Sequence, residues 1–318
     1  MPFRYLRVLV VAVLLAGVSG AVSASAGALR DAIEARRARA AAADSGDGAR
    51  ESSTAAIPAG ARVLRDLAYG PDPQQRLDAY LPPSAATPGA AAPIVLMVHG
   101  GGWTRGDKAM GRVVSNKVAR WAPMGALVVS VNYRMDASAP DPLEQADDVA
   151  RSLAYVQREA PKWGGDAGRV LLMGHSAGAH LVALLAADRA IAQRQGAGPW
   201  LGTVALDSAA YDVVAIMSAR HARLYDRAFG GDPERWREAS PLHRLAEAPA
   251  PLLLVCSARR ADACPQADAF AAQARAHGGV ADVLREDRSH GEINADLGEP
   301  GAYTDAVEAF MRRVGALP

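Results

Sequence analysis

Five residues, Gly174-His175-Ser176-Ala177-Gly178, stand between the apolar run Arg169-Val170-Leu171-Leu172-Met173 and a helical stretch over 179–185. An apolar strand that enters a sharp turn and leaves as a helix is the setting in which G-x-S-x-G holds a serine on strained backbone at the edge of a sheet. The flanking glycines suit that setting, because a Cβ at either position would crowd the neighbouring strand or helix. The plainer alternative is a serine and two glycines at an ordinary helix start, and the flanks weigh against it.

Strand and helix signals alternate along the rest of the chain. Segments 62–69 and 76–81 alternate polar with apolar residues around the turn Gly70-Pro71-Asp72-Pro73 and read as a hairpin. Fuller apolar runs follow at 94–98, 126–131, 169–173, 203–206 and 252–255, as strands covered on both faces require, and 281–285 closes the series. Helices are expected around 113–121, 143–160, 180–187, 236–245, 267–277 and 303–314. The pattern specifies an α/β class: a mostly parallel sheet of about eight strands, helices on both faces, and a helical insertion before the strand at Leu252.

The first residues call for separate treatment. Arg4 and Arg7 precede an apolar stretch at 8–18, and Ala24-Ser25-Ala26 has the form of a signal-peptidase site. A run this short does not span the ~30 Å of a bilayer core. The expected division is a signal peptide at 1–26, an Ala-rich basic extension and linker at 27–60, and one domain at 61–318. Export to a periplasmic or extracellular space follows, with no stable membrane anchor after cleavage. The formal charge of +1 over 318 residues argues against a nucleic-acid partner. In an oxidising compartment Cys256 and Cys264 are expected to bridge if the loop between them turns back, two buried thiols being the alternative. No metal-binding spacing is present.

The chemistry-bearing residues cluster at strand ends. The run 94–98 leads into His99-Gly100-Gly101-Gly102-Trp103. The N–H groups of Gly101 and Gly102, with that of Ala177, are expected to form an oxyanion hole, while His99 is read as a structural hydrogen-bonder. Trp103, beside that loop, is expected to touch substrate. A serine hydroxyl needs a base, and the base needs a carboxylate to orient it. Of the five histidines after Ser176, His290 lies just past the final strand, where a loop returns to the sheet edge. His180 falls within the helix after Ser176, His221 and His243 in the insertion, and His277 at a helix C-terminus. For the acid, the chain order Ser-acid-His favours Asp262, in the loop after the strand at Leu252. Asp207, at the end of the preceding strand with Asp212 behind it, is the rival, and Asp268 falls inside a helix. The segment 209–245 covers the site, and its Tyr211, Met217, Tyr225, Phe229 and Trp236 either line a pocket or form a cap's own core.

His99 to Trp103, Asn132-Tyr133-Arg134, Gly164-Gly165-Asp166, the pentapeptide at 174–178 and Ser289-His290-Gly291-Glu292-Ile293-Asn294 resemble the α/β-hydrolase superfamily. The likeness is to its HGGG-type esterase/lipase branch, near bacterial carboxylesterases, feruloyl-esterase-like enzymes and kynurenine formamidases, and covers about 61–315. The resemblance implies a Ser-Asp-His hydrolase with no cofactor. One departure is Arg259-Arg260 and a cysteine in the acid loop, where the family more often has a short G-S-x-D-like turn. The expected activity is that of a carboxylesterase on small acyl or aryl esters. An arylformamidase or other amidase of the same fold comes second. Third is a non-catalytic binding protein on a hydrolase scaffold, which would not require the set of Ser176, Asp262, His290 and three glycines.

Overall fold

The structure is a computed structural model and describes residues 60–86, 91–136, 141–208 and 210–318. The expected signal peptide and all of the linker but its last residue lie outside the described residues. Eight strands form one sheet: β1 Arg62–Ala68, β2 Arg76–Leu81, β3 Ala92–Val98, β4 Leu127–Val131, β5 Gly165–His175, β6 Gly202–Leu206, β7 Leu252–Ser257 and β8 Ala281–Glu286. Their order across the sheet is β1-β2-β4-β3-β5-β6-β7-β8. The β1–β2 and β2–β4 pairs are antiparallel and every other pair is parallel. Each apolar run and both alternating segments become strands where the sequence places them.

The helices are α1 Gly111–Trp121, α2 Pro142–Glu159, α3 Ala177–Ala187, α4 Arg189–Arg194, α5 Val213–Ser218, α6 Arg223–Phe229, α7 Pro233–Glu238, α8 Pro241–Arg244, α9 Ala263–Ala276, α10 His290–Ala295 and α11 Ala302–Arg313. Local chemistry sets several ends. Asp141 caps α2 by accepting from the Leu143 and Glu144 N–H groups, with Pro142 at the first helical position, where no N–H is needed. The single helix expected over 236–245 is broken in two, because Pro241 turns Ser240 to extended backbone.

Alternate residues of the central strands feed two apolar layers. Ile94, Leu96, Val98, Leu127, Val129 and Leu172 face Val149 and Leu153 of α2 and Leu181 and Leu185 of α3. Val95, Met97, Val128, Leu171 and Met173 face Val114, Val118 and Trp121 of α1 and Val307 and Phe310 of α11. All these side chains are buried, and each contributes about 1.5–3 kcal/mol relative to exposure. The sheet is thus a rigid platform whose C-terminal strand ends carry the polar loops. Among the described residues no helix is long and apolar enough to cross a membrane, and no cluster of three His, Cys, Asp or Glu side chains is placed to hold a metal ion.

Candidate active site

Ser176 stands between the end of β5 and the start of α3 with φ 56° and ψ −118°. This backbone is costly for a residue with a side chain. The Ser176 N–H donates to Leu206 O of neighbouring β6 at 2.9 Å. A Cβ at Gly178 would lie 2.3 Å from Val98 O, so only glycine lets α3 start this close to β3.

His290 bridges the centre of the site. Its Nε2 lies 2.9 Å from Ser176 Oγ, and its Nδ1 lies 2.6 Å from Asp207 Oδ2. Asp207 follows β6 and has left-handed backbone, φ 53°, which turns its carboxylate toward the site. Asp262 does not reach His290. It precedes α9 with a side chain 58% exposed, and its nearest ionic partner is Arg260 at 3.7 Å. The carboxylate that meets His290 is therefore not the one expected in the loop after β7 but its rival, Asp207, one strand earlier. The reason is tertiary: the loop after β7 aims Arg260 inward and leaves Asp262 at the surface.

Asp207 is fully buried, and its oxygens are shared among three donors. Oδ1 accepts from the Ser257 N–H at 2.7 Å, and Oδ2 accepts from Arg260 Nη1 at 2.8 Å as well as from His290. Burial alone would raise the carboxyl, but the His290 hydrogen bond, the Arg260 charge and the Ser257 N–H hold it well below the usual carboxylate range. With Nδ1–H committed to Asp207, His290 Nε2 carries the lone pair that faces the serine hydroxyl.

Two further groups pin the histidine. His175 Nε2–H donates to the His290 carbonyl at 2.9 Å, and the two rings lie 4.5 Å apart. Burial pushes His175 well below the ordinary histidine value, so it acts here as a neutral donor. The second is helical: His290 is the first residue of α10, whose Ser289 cap and Glu292 form a reciprocal capping box. The motif Ser289-x-x-Glu292 is legible in the sequence, although the segment was expected to be a loop.

The glycine loop lies against the serine. A Cβ at Gly100 would stand 2.8 Å from Ser176 Cβ. Gly101 has φ 131°, and a Cβ there would meet Arg105 O at 1.8 Å, so the loop tolerates no side chain at 101. Among the described residues, no backbone carbonyl accepts from the N–H groups of Gly101, Gly102 or Ala177. His99 Nδ1–H donates to Gly100 O at 2.8 Å, a structural bond.

Trp103 departs from the expectation that it touches substrate. It is 3% exposed, packs on Phe229 at 5.0 Å and Tyr225 at 6.1 Å, and its Nε1–H donates to His180 Nδ1 at 3.2 Å. His180 Nε2–H in turn donates to Ala239 O at 2.7 Å, and burial pulls this histidine down to about 4. Trp103 and His180 thus tie the glycine loop, α3 and the insertion together. The aromatic residues of the insertion divide likewise: Tyr211 is buried against Phe270, whereas Tyr225 is only partly buried.

A family model called BD-FAE matches residues 77–257, more than half of the chain. The chain belongs to the BD-FAE family. The matched stretch holds the glycine loop, Ser176 and Asp207. This BD-FAE chain is 28% identical over 267 residues to Esterase LipC of Mycobacterium tuberculosis, covering 79% of the chain and 65% of LipC. It is also 33% identical over 137 residues to a probable isoprenylcysteine alpha-carbonyl methylesterase, ICME, of Oryza sativa subsp. japonica. That match covers 42% of the chain and only 31% of the rice protein. Among solved structures, Esterase B of Lactobacillus rhamnosis superposes with a TM-score of 0.67 at 21% identity, covering 92% of this chain and 96% of that one. Esterase 2 of Thermogutta terrifontis gives 0.64 at 20% identity, covering 82% and 94%. The BD-FAE chain therefore has the α/β-hydrolase fold expected from its motifs.

Proposed function

We propose that the protein is an exported serine carboxylesterase acting on small acyl or aryl esters. The observation that carries this reading is the placement of His290 between Ser176 Oγ and Asp207 Oδ2. His290 Nε2 takes the hydroxyl proton as Oγ attacks the ester carbonyl. The N–H groups of Gly101, Gly102 and Ala177 hold the oxyanion, and the imidazolium formed is stabilised by Asp207. Collapse expels the alcohol, protonated by His290, and leaves an acyl-serine. Water, deprotonated by the same imidazole, releases the acid. No step calls for a cofactor. The relatives named esterase and methylesterase support an ester substrate. The disulfide between Cys256 and Cys264 supports an oxidising compartment, in line with a signal peptide at 1–26.

The test is hydrolysis of p-nitrophenyl esters of graded acyl length by the full chain and by S176A, together with labelling by a fluorophosphonate. The expected result is single-site labelling at Ser176 and a loss of at least ~10³-fold in kcat for S176A. Near-normal turnover by S176A overturns the reading, and faster cleavage of formyl-aromatic amides than of any ester moves it to an amidase.

A further inference from the structure

Arg260 lies behind the acid–base pair, on the turn that follows β7. Its Nη1 is 2.8 Å from Asp207 Oδ2, 3.2 Å from the Asp207 carbonyl and 3.0 Å from His290 Nδ1. A guanidinium only donates, and His290 Nδ1–H is itself a donor to Asp207. The 3.0 Å approach is therefore two donors converging on one carboxylate oxygen. Such an arrangement holds only while Asp207 is ionised between them.

The turn that carries Arg260 is tied down along its length. Its ends are joined by the Cys256–Cys264 disulfide. Within it the Ser257 N–H holds Asp207 Oδ1, and Ser257 Oγ donates to Arg288 O at 2.5 Å, two residues before His290. The same nine residues thus support the acid, place a cation on it and brace the loop that presents the base. The Arg260 side chain is 19% exposed, and the Tyr225 phenol of the insertion and the Asp262 carboxylate also act on it.

We propose that Arg260 is a positioning residue for the Asp207–His290 pair, holding the carboxylate ionised and aimed at Nδ1 and extending activity toward acid pH. The proposal rests on the esterase reading above. A cation in contact with the pair opposes the arrival of a proton, whichever of the two groups takes it. The other ionisable groups nearby are placed differently. Burial disfavours the charged forms of His175 and Tyr225, and Lys117 of α1 acts on His175. Glu292 of α10 is paired with Arg259 at 3.0 Å, and Arg288 with Asp296 at 3.2 Å. Among the described residues Arg260 is the cation in hydrogen-bond range of both members.

The experiment measures kcat and KM on p-nitrophenyl acetate from about pH 5 to 9 for the full chain, R260K, R260M and R260Q, with S176A as the blank. R260M and R260Q are expected to lose about tenfold or more in kcat near pH 6 with KM within about twofold, their acid limb moving up by about one pH unit. R260K, which keeps the charge, is expected to hold the limb close to that of the unaltered protein. R260Q keeps a donor without the charge and carries the test if R260M does not fold. An unshifted limb in both neutral variants, a limb shifted equally in R260K, or a change confined to KM overturns the proposal. Persistent turnover by S176A would instead overturn the esterase reading itself.

Discussion

Asp207 reaches His290 from the end of β6, its Oδ2 2.6 Å from the imidazole Nδ1, while Asp262 points to solvent one strand further on. The contrast makes the two aspartates a matched pair for mutation. D207N keeps the shape but presents an amide to Nδ1, favouring the wrong tautomer, and should lower kcat by about 10³–10⁴-fold. D262N removes only an exposed, long ion pair and should leave kcat within about twofold. Steady-state kinetics on one ester decide it, and equal losses in the two variants would contradict the geometry.

The disulfide closes a loop of eight residues' separation that holds Ser257 and Arg260 against Asp207. Its entropic contribution for a loop of that size is about 2.5 kcal/mol. C256A/C264A should therefore melt about 5–10 °C lower by calorimetry. Because the loosened turn supports the acid, kcat should fall as well, with KM little changed. A lower melting temperature with kcat intact would show that the turn keeps its shape without the bond.

Lys117 is buried beneath α10, and its Nζ donates to Asn294 O of that helix at 2.6 Å. Burial pulls the ammonium down to about 7, with Asp296 opposing the shift only in part. The unfolded chain keeps this proton to about pH 10.4, so the folded state carries the full penalty below about pH 7 and sheds it between the two values. K117M should gain stability over the parent near pH 6, and the gap should shrink as the pH rises toward 9. Urea unfolding at three pH values measures it. A gap that does not vary with pH would mean that the lysine keeps its ordinary affinity for a proton.

Most strands were legible as apolar runs or polar–apolar alternations, and Ser176 and His290 because they lie just beyond strands. The acid was not. Asp207 and Asp262 both follow a strand C-terminus and both lie between Ser176 and His290, so the chain order taken to favour Asp262 does not exclude Asp207. What separates them is the left-handed backbone at 207 and the inward course of Arg260, neither of which is encoded locally. The helices of the insertion were missed in part for the same kind of reason: α5 and α6 have six and seven residues, too short for a periodicity to emerge. His175 and His180 find their partners 115 and 77 residues away, so no spacing announces them.

Ser176 and Asp207 leave neighbouring strands through nearly the same backbone twist, φ 56° and 53°, and main-chain bonds join each turn to the strand beside it. Ser176 and Asp207 are thus spaced by the lattice of the sheet, as two teeth on one comb, before the insertion begins. The helices over 213–244 are joined to that platform through Trp103 against Phe229 and His180 against the Ala239 carbonyl. A change in that segment therefore meets the glycine loop and α3 first, while the distance between Ser176 and Asp207 stays that between adjacent strands.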